Sequence, residues 1–195
     1  MSRNSSTKEK AEARNSTLIG SGKESFVQEV YCVKNAGLVL LSPFFCRLFH
    51  ELGLMENESF GDFKAKEWAV LLLQYLVSER THFKEEDLKL NKILVGLNDP
   101  RPIATKMIVN RKEQEVIHTL LRNIIGQWKG LSGTTAEEFR EIFLRREGIL
   151  VRRKNNWYLT VKPKPYDSLL KSLPWQYSLV FHPWMFYKIF VTWKL

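Results

Sequence analysis

A dense group of basic side chains occupies part of the last third of the chain. Between residues 145 and 171 there are eight basic and two acidic residues, so this stretch carries +6 of the formal net charge of +9. The basic residues are Arg145, Arg146, Arg152, Arg153, Lys154, Lys162, Lys164 and Lys171. Such a group binds the phosphates of nucleic acid, an anionic membrane surface or acidic protein side chains, or it only keeps an exposed hairpin in solution.

Patterns that would support catalysis or metal binding do not occur in the sequence. Cys32 and Cys46 are the only cysteines and form no C-x-x-C pair, which predicts reduced thiols without a disulfide framework or a zinc site. The four histidines are scattered at His50, His82, His118 and His182. Neither G-x-S-x-G nor H-E-x-x-H is present. The sequence therefore predicts no catalytic residue, no metal and no cofactor.

Helical elements are predicted from apolar residues at helical spacing together with the residues that begin and end helices. The predicted starts are Ser42-Pro43, Asp62, the region of Leu88, Asn110 with Glu113, and Thr134 or Thr135 with Glu137 or Glu138. The predicted stops include Gly53, Gly96, Gly130 and Gly148. The second helix is apolar on nearly all sides over residues 68–73, which is typical of a central buried helix.

After Gly148 the apolar period changes from 3.6 to 2, which predicts a β-hairpin with its turn at Lys154-Asn-Asn156. Ile149 and Val151 are predicted to share one face. The predicted partner face carries Trp157, Leu159 and Val161. Residues 162–165 contain two prolines and should leave the sheet. Further short strands are predicted at 26–33, 177–181 and 187–193. The predicted class is mainly α with a C-terminal β portion (α+β), with about five helices.

Tryptophan is concentrated at the C-terminal end, where four of the six tryptophans fall within the last 39 residues. They are Trp157, Trp175, Trp184 and Trp193. Because tryptophan is costly to leave exposed, this clustering indicates a packed aromatic core, a docking face, or both. The predicted partner-docking residues are Arg152, Arg153, Lys154, Lys162, Lys164, Trp175, Trp184 and Trp193.

The order of elements also permits a nucleic-acid-binding function. A helix over residues 111–129, a short connection, a helix over 134–147 and a basic hairpin follow in the order of a winged helix-turn-helix. In that alternative Arg140, Arg145 and Arg146 of the second helix and the three hairpin cations meet base edges and phosphates. Against this alternative, Phe139, Ile142 and Phe143 predict that one face of the second helix is used for packing.

Several blocks resemble the contractile injection system tape measure family in order along the chain. The first is Asn35-Ala-Gly-Leu-Val-Leu-Leu-Ser-Pro-Phe44, and Val95 stands in the third block where the family pattern has cysteine. The later blocks lie at 69–76, 88–97, 128, 143–148, 157–159, 173–175, 183–185 and 191–193. The resemblance covers about residues 27–195.

The resemblance implies a non-enzymatic structural component of an extracellular contractile injection particle, which is phage-tail-like and has an inner tube, a sheath, a baseplate and a cap. It implies tube, cap or baseplate subunits as partners, and copies of the chain itself within a symmetric particle. The family is linked to setting tube length from within the lumen. Even one unbroken helix of 195 residues would reach only about 290 Å. The many predicted helix ends favour a folded domain that anchors or plugs the inner tube at the cap or baseplate.

The N-terminal residues 1–25 are rich in serine, lysine, glutamate and asparagine and predict a flexible tail, followed by a single domain over 26–195. They contain no apolar core typical of a signal peptide, and no segment reaches the roughly 20 apolar residues that span a bilayer. Assembly in the cytoplasm, followed by residence in a particle that is released, is the expected localisation.

Overall fold

The computed structural model describes residues 29–98 and 100–194, and it confirms the α+β class. The α-helices are α1 (Phe45–Glu51), α2 (Phe63–Ser78), α3 (Lys89–Leu94), α4 (Arg111–Gln127) and α5 (Ala136–Phe139). The strands are β1 (Val30–Val33), β2 (Met55–Glu56), β3 (Ser59–Phe60), β4 (Gly148–Arg153), β5 (Asn156–Val161), β6 (Leu179–Val180) and β7 (Lys188–Trp193). The predicted tail over 1–25 lies outside the described residues.

Helix starts follow the predicted capping residues. The Asp62 side chain accepts a hydrogen bond of 2.7 Å from the first turn of α2. Asn110 and Glu113 form a complete capping box at the start of α4, and Thr135 and Glu138 form another at α5. Each cap satisfies backbone N–H groups that have no partner within the helix.

The helix predicted to start at Ser42-Pro43 begins later. A 3-10 helix spans Ala36–Phe44 and contains Pro43, and α1 follows at Phe45. The backbone of the 3-10 helix packs directly against the backbone near Phe143. A Cβ at Gly37 would lie only 1.7 Å from the backbone oxygen of Phe143. Tight tertiary packing of an apolar stretch therefore decides the local conformation, which the capping pattern alone did not predict.

The helix predicted over 134–147 is present over residues 136–144, but it changes type within that range and ends earlier than predicted. After α5 the chain continues as a π-helix over Arg140–Leu144 and then leaves helical geometry at Arg145. Gly148 does not stop a helix; it is the first residue of β4. A Cβ at Gly148 would lie about 3 Å from Ala36 and Leu159, so the absent side chain lets β4 approach its neighbours closely. Similarly, α4 ends at Gln127 rather than at Gly130.

The strands form a five-stranded sheet in the order β1-β4-β5-β7-β6 and a separate hairpin of β2 and β3. The predicted hairpin of β4 and β5 is confirmed, as are the two later strands. β5 and β7 are parallel, whereas the other neighbours are antiparallel. A parallel pair requires a crossover connection, which residues 162–187 supply.

The predicted faces of β4 are reversed. Leu150 is fully buried opposite Leu159, whereas Ile149 is 50% exposed opposite Thr160. Because side chains alternate along a strand, a shift of one residue moves Ile149 and Val151 to the outer face. The inner face of the sheet packs on the helices in one hydrophobic core, in which residues 69–77 of α2 are all buried.

A small polar network lies inside this core. The Asn35 amide donates to the side-chain oxygens of Gln74 (2.9 Å) and Asn91 (2.7 Å), and Asn91 donates to the backbone oxygen of Val70 (3.0 Å). These bonds join the segment before the first 3-10 helix to α2 and α3. The amides are stable inside the core because they are hydrogen-bonded there. No described helix has the combination of length and apolar character that crossing a lipid bilayer requires.

Candidate docking site

The turn of the β4–β5 hairpin presents two exposed cations. Lys154 adopts a left-handed conformation with φ of 52° and closes the turn beside Arg153. Among residues 29–98 and 100–194, neither side chain lies within salt-bridge distance of an acidic group. The Arg153 guanidinium lies 5.3 Å from the ring centroid of Tyr158, which holds it against the outer face of the sheet. These two cations are available to an external anionic group.

Arg152, the third predicted cation of the hairpin, stabilises the fold instead. Its guanidinium donates to Glu29 (2.7 Å) and to the Tyr187 hydroxyl (2.9 Å), and lies 4.7 Å from the Tyr187 ring centroid. The hydrogen bond to Glu29 raises the pKa of Arg152. Burial alone would raise the pKa of Glu29, but the hydrogen bonds from Arg152 and Tyr31 and the nearby charges of Lys89 and Arg152 together outweigh it, so the pKa lies below 4.5. Arg152 thus connects the residue before β1 to the segment before β7.

Lys162 and Lys164 lie on the extended connection after β5, as predicted, and both side chains are exposed. Lys162 pairs with Glu147 at 2.9 Å, and both members of that pair are in contact with water. The backbone N–H of Lys164 donates to Asp167 at 2.8 Å and begins the 3-10 helix Pro165–Ser172. An exposed pair of this kind contributes little to folding, so its lysine remains accessible to a partner.

The three arginines that the winged-helix alternative placed on its second helix, in contact with nucleic acid, are engaged within the chain. Arg140 is 2% exposed and donates to Glu79 at 2.9 Å, and Arg145 donates to Glu137 at 2.6 Å. Arg146 is fully buried, bonds Asp167 through both terminal nitrogens (2.6 and 2.9 Å), and lies 4.9 Å from the ring centroid of Trp193. These arginines stabilise the fold and present no row of donors to a nucleic acid.

Asp167 is the buried anion of this group. Burial by itself would raise its pKa, but the hydrogen bonds from Arg146 and from the backbone of Lys164 lower the pKa below 3.8. The carboxylate is therefore ionised at neutral pH and balances the Arg146 charge inside the protein. Of the basic residues of the cluster, Arg145, Arg146 and Arg152 are therefore engaged in ion pairs within the fold, and Arg146 alone is fully buried.

The tryptophans predicted as docking residues are largely parts of the core. Trp184 and Trp193 are 9% and 6% exposed, respectively. The Trp184 indole donates to the backbone oxygen of Leu94 at 2.9 Å and packs edge-on against Phe49. Trp175 is half-buried and donates to the backbone oxygen of Leu40 at 2.8 Å. These rings fasten the C-terminal segment to the helices, and neither Trp184 nor Trp193 offers a free ring face.

Sequence reasoning missed an exposed apolar surface on the outer face of the five-stranded sheet. In-register pairing brings one outward residue from every strand into a continuous row. We call this set the outer row; it consists of Val30, Val151, Tyr158, Phe190 and Leu179. The sequence signal was one aromatic residue at an outward position of each strand, Tyr158 on β5 and Phe190 on β7. A strand with one face in water normally carries polar residues at those positions.

No group of three or more His, Cys, Asp or Glu side chains within the described ranges could hold a metal ion. The folded α+β domain instead combines exposed cations with an apolar sheet face, and these are features of proteins that bind other proteins. The family model described as contractile injection system tape measure protein matches residues 1–193, and the chain belongs to that family. No curated protein and no solved structure matches the chain.

Proposed function

We propose that this chain is a non-enzymatic subunit that anchors or plugs the inner tube of a contractile injection particle at its cap or baseplate end. Family membership supports a structural role related to the tape measure. The anchoring role rests on one observation: the hairpin turn projects Arg153 and Lys154 into solvent without an acidic partner in the described chain. The partner is an acidic surface on a tube, cap or baseplate subunit.

The dimensions of the fold favour anchoring over measuring. The longest described helix, α4, has 17 residues and is about 26 Å long. A ruler works by extension, whereas this chain returns on itself to complete one sheet from residues on both sides of its helices. A folded subunit of this kind occupies one end of a tube and does not follow its length.

The test is incorporation of Arg153→Ser/Lys154→Ser into particles. We expect the variant to fold normally, since both side chains are exposed, and to be recovered in purified particles at several-fold lower occupancy than the unaltered chain. Quantitative immunoblotting of gradient-purified particles measures this. Lys64→Ser/Lys112→Ser removes the same formal charge from α2 and α4 and is the matched control.

Equal incorporation of the two double variants would remove the hairpin from the proposal. Measuring particle length tests the anchoring role against a measuring role. If inserting residues into the exposed connection before α4 lengthened particles in proportion to the insertion, as measured by electron microscopy, the chain would be a ruler.

A further inference from the structure

The outer face of the five-stranded sheet has exposed apolar residues on four of its strands, and the central Val151 and Tyr158 are half-buried. The outer row runs across all five strands, and Tyr158 and Phe190 stack within it at a centroid distance of 5.3 Å. Val30 and Phe190 are each 38% exposed and Leu179 is 48% exposed. Beside this row lies a second one of Cys32, Ile149, Thr160 and Thr192. Contiguous apolar surface of this kind marks an interaction site.

The charged residues at outward positions within the strands of this face are all basic. A third row holds Arg153, Asn156 and Lys188, and the Lys188 ammonium lies 5.7 Å from the ring centroid of Phe181. No outward position on the five strands is aspartate or glutamate. Within the described part of the chain, neither Arg153 nor Lys188 forms a salt bridge. The face is therefore apolar at its centre and cationic at the end nearest the hairpin turn.

We infer that the outer face of the sheet is the surface on which an acidic amphipathic segment of another particle subunit docks, with apolar side chains on the outer row and carboxylates against Arg153 and Lys188. This inference rests on the proposed function and extends it from two cations to a whole face. Apolar contact supplies affinity, while the cations fix orientation and reject cationic partners.

Charge complementarity favours an acidic segment over two other possible occupants of this face, a second copy of the chain and its own residues 1–28. A second copy would bring a chain of net charge +9 and an identical cationic end to the same face. Residues 1–28 of the chain itself carry five basic and three acidic residues, a net charge of +2. Both occupants add positive charge beside Arg153 and Lys188, whereas an acidic segment neutralises them.

Cys32 reports directly on whether this face is covered. Its side chain is exposed on β1, in register with Ile149, whereas the other thiol, Cys46, lies on α1. The experiment compares maleimide labelling of Cys32, in a Cys46→Ser background, between the purified full chain and purified particles. We expect rapid labelling in the free chain and at least tenfold slower labelling in particles. Equal rates in both would overturn the inference while leaving incorporation, and thus the proposed function, intact.

A pair of surface variants tests the contact itself. Phe190→Glu places a carboxylate on the outer row, and Arg153→Glu/Lys188→Glu reverses the cationic end; each should lower incorporation several-fold. Ile108→Glu alters an apolar residue that is 88% exposed away from the sheet and should leave incorporation unchanged. Thermal unfolding checks that each of these variants folds. The labelling experiment does not depend on any of them.

The alternative occupants give different results. If removing residues 1–28 accelerated Cys32 labelling in the free chain, that segment would cover the face and the inference would fail. Slow labelling accompanied by dimers in sedimentation experiments would identify a second copy and also contradict it. Absence of the unaltered chain from particles would instead overturn the proposed function, so the two failures are distinguishable.

Discussion

At the residue scale, the buried pair of Arg146 and Asp167 connects the end of the π-helix to the connection after β5. Asp167→Asn leaves the fully buried guanidinium without its counter-charge, which we expect to lower the free energy of unfolding by about 3–5 kcal/mol. Urea unfolding followed by tryptophan fluorescence measures this change. Most of the effect comes from stranding a buried charge, because the Arg146 guanidinium stays buried when its counter-charge is removed.

Two further variants separate the effect of the stranded buried charge from the loss of an exposed ion pair and from the loss of the whole buried pair. Glu147→Gln breaks the exposed pair with Lys162 and should change stability by less than about 1 kcal/mol. Arg146→Met/Asp167→Leu removes both charges and should destabilise the protein less than Asp167→Asn alone. If the double variant were the less stable one, the pair would contribute net stability and the explanation above would be wrong.

His182 makes stability depend on pH. Its ring stacks on Trp184 at 4.5 Å, and burial lowers the pKa of His182 below 6.5, although a hydrogen bond to the backbone of Ser42 opposes the shift. A group with a depressed pKa contributes stability above its unfolded pKa and loses it as pH falls. We therefore expect the free energy of unfolding to drop below pH 6.5, by about 1.4 kcal/mol for each unit by which the pKa is lowered.

Urea titrations at about pH 7 and about pH 5 measure this dependence. His182→Gln should remove that part of the slope, because glutamine does not titrate. His50→Gln is the control, since His50 is exposed on α1. An unchanged slope in His182→Gln would assign the pH dependence to other groups.

At the scale of elements, the first 3-10 helix is fixed by the absence of a side chain at Gly37. A methyl group there would lie 1.7 Å from the Phe143 backbone oxygen, so Gly37→Ala must push apart the 3-10 helix and the π-helix. We expect loss of several kcal/mol or failure to fold, measured by circular dichroism during thermal unfolding.

Gly126→Ala is the matched control for this substitution. Gly126 lies inside α4, and a Cβ there meets nothing within 4 Å. Because alanine loses less backbone freedom than glycine on folding, this change should stabilise the protein by about 0.5–1 kcal/mol. Destabilisation of similar size in both variants would show that close packing at Gly37 is not the cause.

Which elements the sequence could predict depends on how local their causes are. Asp62, Asn110 and Thr135 act on backbone groups within one turn, so their helix starts were predicted correctly. The π-helix over Arg140–Leu144 and the start of β4 at Gly148 depend on contacts with distant segments. The burial of Leu150 was likewise missed because its strand partners set the register.

At the scale of the whole molecule, net charge predicts some attraction to nucleic acid, but the placement of that charge limits it. Arg140, Arg145 and Arg146 are bound to Glu79, Glu137 and Asp167, respectively. We expect binding to double-stranded DNA to be independent of sequence and to vanish near physiological salt, because few free cations reach phosphates together. Fluorescence anisotropy across a salt series measures this.

Sequence-specific affinity that persisted at physiological salt would favour the winged-helix alternative. Arg153→Ser/Lys154→Ser is the informative variant in the same assay. It should reduce the weak binding, because the hairpin turn carries two adjacent exposed cations. Lys64→Ser/Lys112→Ser again matches the change in formal charge.

The candidate site could be predicted from the sequence only in part. The change of apolar period located the hairpin, and charge density singled out Arg153 and Lys154 at its turn, since charged side chains at a turn face water. Composition could not show that Arg152 is held by Glu29, or that Trp184 and Trp193 fill the core. The outer row is assembled from five separated segments and becomes visible only once the strand register is known.

The position of β1 at the edge of the sheet has a kinetic consequence. Its pairing partner is β4, and Val33 lies opposite Gly148, 115 residues (148 − 33) further along the chain. Closing a loop of that length is entropically unfavourable before any contact rewards it, whereas the capped helices can form early from local interactions. Formation of the sheet, rather than of the helices, should therefore limit the rate of folding.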